Sequence, residues 1–137
     1  MPSHDTKVGI VVRNDLLGWQ ELNVTAFLST GIAASAPQQI GEPYIDGNDQ
    51  TYLPLIIQPI FIYTASQDEL NRTRDRALSR GVIPAIYAEG MFKTDNDDDN
   101  RAVVRELTDG EGALVGVALR ADRKIFDKII HGLKLHS

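Results

Sequence analysis

The run Val8-Gly9-Ile10-Val11-Val12 constrains this chain more than any other stretch. Its β-branched side chains suit a pleated surface. Both alternation phases are apolar, so a strand here has both faces covered, as a central strand of an α/β sheet does. Arg13-Asn14-Asp15 follows at its carboxyl end, the end at which open α/β sheets bind ligands. The same three residues also read as a plain turn in which Asn14 and Asp15 bond nearby backbone amides.

A helix is expected from Trp19 to Ala34. Leu22, Val24, Ala26, Phe27, Leu28, Ile32 and Ala33 leave it almost no wholly polar face, so the sheet and a partner subunit are expected to bury it. Gly31 in its interior costs about 1 kcal/mol against alanine, which close approach to another element would offset. Asn23, Phe27 and Thr30 share one face at i, i+4 and i+7. Either Asn23 and Thr30 line a pocket beside the Arg13-Asp15 turn, or Asn23 caps a helix that begins later.

Tyr44-Ile45 and Thr51-Tyr52 flank the turn sequence Asp46-Gly47-Asn48-Asp49-Gln50 and read as a small hairpin outside the main sheet. A second core strand spans Leu55 to Ala65, with Pro59 marking a bulge or its true start. Ser66 and Glu69 form a capping box for a helix that runs to about Arg80 and stops at Gly81. Arg72, Arg76 and Arg80 make a basic stripe on it, read as a solvated face with acidic counterions rather than a phosphate site. The third strand, Val82 to Ala88, ends at Glu89-Gly90, with Lys93 and Thr94 beyond. If it lies parallel to the first strand, Glu89 comes near Asn14 and the start of the long helix.

Asp95, Asp97, Asp99 and Glu106 match ligand positions of a calcium-binding EF-hand loop, but Asn100 stands where that loop needs glycine. The run reads better as a solvated loop and the acidic start of a short helix, Asn100 to Leu107. Thr108 to Gly112 is read as a loop, Ala113 to Leu119 as the fourth strand. A last helix starting near Asp122 carries the stripe Ile125, Phe126, Ile129, Ile130 and Leu133.

The whole, residues 1–137, is thus read as one α/β domain: three layers, α/β/α, around a four-stranded mixed sheet, plus an extra β-hairpin. With no cysteine in the sequence, disulfides and thiolate metal sites are excluded. His4, His131 and His136 lack metal-ligand spacing, and no metal or cofactor is expected. The first residues read as no signal peptide and no run reaches membrane-helix length, so a cytoplasmic protein is expected. A formal charge of −5 lowers the expectation of a nucleic-acid partner without excluding one.

Three segments together resemble the type II peptidyl-tRNA hydrolases: Val11-Val12-Arg13-Asn14-Asp15-Leu16 before a small-residue helix, the strand ending at Glu89-Gly90 with Thr94 beyond, and Ile125-Phe126-Asp127-Lys128 with Leu133-Lys134-Leu135. The chain resembles more closely still a bacterial family, domain of unknown function 2000, a branch of that fold. The resemblance implies a peptidyl-tRNA hydrolase II-like fold and a homodimer. It also implies a lost motif. The hydrolases' lysine, glutamine and histidine fall on Asn23, Phe27 and Thr30 here, their aspartate on Glu89 and their threonine on Thr94. Two functions follow. One is a binding domain that holds a small polar ligand through Arg13, Asn14, Asp15, Asn23 and Thr30. The alternative is a divergent ester or amide hydrolase with Glu89 as base, assisted by Lys93 and Thr94.

Overall fold

The computed structural model describes residues 5–108 and 113–137. His4 and the rest of the first four residues, and the expected loop from 109 to 112, lie outside them. The expected central strand is β1, Thr6–Arg13, with Val8 through Val12 buried. It pairs in parallel with β4, Ile60–Ala65, and antiparallel with β6, Leu114–Asp122. β5, Ala85–Ala88, pairs antiparallel with the far side of β6 and so runs in the direction of β1. The two short strands β2, Tyr44–Ile45, and β3, Thr51–Tyr52, form the expected separate hairpin.

Among the described residues the main sheet has five strands, not the four expected, in the order β5-β6-β1-β4-β7. The extra strand is β7, Lys134–Leu135, on the open edge of β4. It is two residues long and exposed, it pairs with β4 at Tyr63 and Thr64, and no side-chain alternation marks it in the sequence. β4 begins at Ile60, which makes Pro59 the residue before the strand; β5 is shorter than expected because it begins only after Pro84, which has no N–H to pair.

Helix α1, Gly18–Ser35, covers one face of the sheet through the buried row Val24, Leu28 and Ile32. Gly31 meets β5, where an added Cβ would stand 3.2 Å from the Ala85 Cβ, the close approach its place in the helix called for. Helices α2, Gln67–Ser79, and α4, Arg123–Ile129, cover the opposite face with Leu70, Ala77, Phe126 and Ile129. The layers are therefore α/β/α.

Local chemistry sets the ends of α2. Ser66 Oγ accepts from the Glu69 amide at 3.2 Å and Glu69 Oε1 accepts from the Ser66 amide at 2.9 Å, the reciprocal capping box. At the other end Gly81, at φ 74°, lets its N–H reach Leu78 O and the Val82 N–H reach Ala77 O. Of the basic stripe, Arg76 donates to His131 O at 3.0 Å and ties α2 to the end of α4. The acidic run begins helix α3, Asp97–Arg105, earlier than expected, with Asn96 as its cap and Asp97, Asp98 and Asp99 in the first turn. Helical backbone there is incompatible with an EF-hand loop. No helix among the described residues is long and apolar enough to cross a membrane.

Candidate functional site

Because β1, β4 and β5 point the same way, their carboxyl ends gather at one edge of the sheet, together with the start of β6. Arg13, the last residue of β1, spans that edge with its side chain only 14% exposed. Its Nε donates to Asp15 at 2.6 Å, Nη1 to Gln67 at 2.9 Å and Nη2 to Glu89 Oε1 at 2.6 Å. Burial opposes the charge on Arg13, but the bonds to Glu89 and Asp15 outweigh it and raise the pKa. Glu89 is thus beside the first strand, as a parallel β5 requires. The guanidinium occupies the carboxylate that a hydrolase would use as a base. Asn14 is exposed, and its backbone N–H closes the turn onto Ala65 O at 2.9 Å.

The concave feature lies next to this node. A 3-10 turn, Glu89–Lys93, carries the chain from β5 across the first half of α1 toward α3. Between them is a cleft of about 440 Å³, within the size range of small-molecule sites. Asn23 and Phe27 enter it from α1, Tyr87 from β5 and Thr94 from the residue after the turn. Tyr87 hydroxyl reaches Asn23 Oδ1 at 3.4 Å. Burial raises the Tyr87 pKa, so at neutral pH it remains a phenol and a donor. Asn23 is well inside α1, which begins at Gly18, so it is a lining residue and not the cap. Thr94 Oγ1, with one proton to give, lies against Met91 O at 2.9 Å and against Asn100 Oδ1.

The expected site residues therefore divide. Asn23 and Thr94 line the cleft; Arg13, Asp15 and Glu89 form the neighbouring ionic node. Thr30, one turn beyond Phe27, lines neither: it is exposed and its hydroxyl donates to Phe27 O at 2.5 Å within its own helix. Lys93 is exposed on the outer side of the turn and forms no ion pair among the described residues. Trp19, Tyr87, Met91, Phe92 and Asn100 line the cleft although nothing in the sequence marks them as binding residues, and Asp95 and Asp97, which the acidic run offered only as calcium ligands, line it too.

A model for the family described as protein of unknown function (DUF2000) matches residues 6–137. The chain belongs to this family. A solved structure of another protein of unknown function, from Agrobacterium tumefaciens strain C58, is 47% identical to it, with a TM-score of 0.96 over 98% of this chain and 99% of that chain. No curated protein matches. Neither the DUF2000 description nor the neighbour's brings an activity with it, and a shared fold alone does not fix one.

Proposed function

We propose that this member of DUF2000 is a binding domain that holds a small polar ligand in the cleft between α1 and the Glu89–Lys93 turn. One observation carries the reading. The cleft sets Asn23, Tyr87 hydroxyl and Thr94, with Asp95, Asn96, Asp97 and Asn100, against the large apolar side chains of Trp19, Phe27, Met91 and Phe92, so a ligand there meets both apolar surface and convergent polar groups. The finer fold assignment, a branch of the type II peptidyl-tRNA hydrolases, belongs to the same proposal. Its support is the mixed sheet and the gathering at one cleft of Asn23, Phe27 and Thr94, three of the positions onto which the hydrolase motif falls. At those three positions the amide, phenyl and hydroxyl groups bond or pack against a ligand but move no proton at neutral pH. The hydrolase version finds less support, because Glu89 bonds Arg13 and does not line the cleft.

The test is a thermal-shift screen of polar metabolites, with Asn23→Leu run in parallel. A ligand that stabilises the wild type is expected to lose that effect in the variant, whose own melting changes little because Asn23 makes one long hydrogen bond. Equal stabilisation of both proteins would remove Asn23, and with it the cleft, from the site.

A homodimer remains part of the proposal. The hairpin arm exposes Tyr44, Ile45, Tyr52, Leu53 and Leu55, with Leu53 at 85%, and adjoining apolar side chains of this size commonly mark a protein contact. Light scattering at micromolar concentration is expected to give twice the chain mass, and the mass of one chain would overturn the dimer.

A further inference from the structure

The walls of the cleft are aromatic in a connected way. Trp19 meets Phe92 edge to face with centroids 5.7 Å apart, Phe92 meets Tyr87 at 5.2 Å, and Tyr87 meets Phe27 at 5.7 Å. Four rings from three elements thus surround one concavity. Trp19 and Phe27 remain 57% and 53% exposed, so their apolar surface stays in contact with water that a ligand would displace.

The charged side chains that line the cleft, among the described residues, are acidic. Asp95 and Asp97 line the cleft, and no lysine, arginine or histidine does. Asp97 is paired with Arg101 at 2.5 Å, whereas the only bond to the Asp95 side chain among the described residues comes from the neutral Asn96 amide at 3.0 Å. The amino end of α3 also faces this region and would favour an anion, but Asp97, Asp98 and Asp99 in its first turn offset that partial charge. Aromatic faces carry negative potential and attract cations, most strongly cations too bulky to be well hydrated.

We infer that the cleft lined by Trp19, Phe27, Tyr87, Phe92 and Asp95 takes an organic cation, an alkylated ammonium small enough for about 440 Å³. The inference rests on the cleft being the binding site and adds the chemical class of the ligand. It runs against a phosphate or a tRNA terminus, which this set of side chains would repel. The rings desolvate and hold the alkyl groups, Asp95 balances the charge, and Asn23 with Tyr87 hydroxyl is left to bond a polar tail.

The sequence contains one tryptophan, Trp19, so its fluorescence reports on this cleft alone. The probes are choline and its neutral carbon isostere, 3,3-dimethylbutan-1-ol, titrated against the wild type and Asp95→Asn. Choline is expected to bind about tenfold more tightly than the isostere, and Asp95→Asn to reduce most of that preference while leaving the isostere unchanged. Asp95 is exposed and outside every helix and strand, so the variant keeps the fold. Equal binding of choline and the isostere would overturn the cation and leave the cleft as a site. No response to either probe into the high millimolar range would also overturn the cation, and the metabolite screen with Asn23→Leu would still decide the cleft.

Discussion

Phe126→Ala destabilises the fold by about 3–5 kcal/mol, at the upper end for a core truncation. Phe126 is fully buried, packed beside Tyr63 with ring centroids 6.3 Å apart, in the layer between the sheet and α2 and α4. Its ring lies directly on β1 at Gly9, where an added Cβ would stand 2.6 Å from the ring tip. The wall beneath the ring is therefore the β1 backbone at Gly9, which cannot close on the space left by alanine, and much of the cavity persists. Urea unfolding followed by circular dichroism measures the loss. Coupling is the sharper readout. Gly9→Ala alone forces the ring aside and is destabilising by about 1–3 kcal/mol, yet it should be nearly free, or favourable, in the Phe126→Ala background. Additive effects would mean that ring and glycine do not touch.

Gly116→Val is the second large effect, about 3 kcal/mol of destabilisation, and it acts on the opposite face of the sheet. A Cβ at Gly116 would come within 2.5 Å of Val24 Cγ1 and 2.8 Å of Leu28 Cδ1, with Val11 O at 3.5 Å on the strand side. Both helix residues are buried in the row that seats α1, so the helix must lift. Asn23 and Phe27 adjoin those two residues in the chain, and the lift moves them out of the cleft. Gly116→Val should therefore lose ligand-induced stabilisation as well as intrinsic stability. Gly18→Ala is the control: nothing lies within 4 Å of an added Cβ there, and reduced freedom of the unfolded chain makes it neutral or slightly stabilising. Loss of stability at Gly18 equal to that at Gly116 would show that steric contact with α1 is not the cause.

The elements were legible where local chemistry sets them. Ser66, Glu69 and Gly81 mark the ends of α2 because capping and left-handed backbone are properties of a few adjacent residues. The apolar β1 announced its own burial, and Pro59 its position ahead of β4. β7 was not legible, since Lys134 and Leu135 become a strand only by finding the free edge of β4 at Thr64 and Tyr63. The site was half legible for a similar reason. Polar residues after β1 and β5 pointed to the end of the sheet beside which the candidate cleft lies, and the Arg13–Glu89 pair follows once β6 is inserted between those strands. The cleft is assembled by tertiary contact among α1, β5 and the 3-10 turn, where aromatic residues far apart in the chain meet. A break in the β5–β6 register between Tyr87 and Ala88 falls at the point where the chain leaves the sheet for that turn, and alternation does not reveal such a shift. Thr30 shares the helical face of Asn23 and Phe27, but α1 carries it past the end of the candidate cleft.

A 1H–15N NMR titration with the tightest hit of the metabolite screen locates the bound ligand residue by residue. A ligand in the cleft is expected to shift the Trp19 indole together with the amides of Asn23, Phe27, Tyr87 and Thr94, while Thr30 stays still and the Arg13 guanidinium responds weakly as a neighbour. Shifts concentrated on Arg13, Asp15, Gln67 and Glu89, with Trp19 unmoved, would contradict a site in the cleft and transfer it to the ionic node at the end of β1.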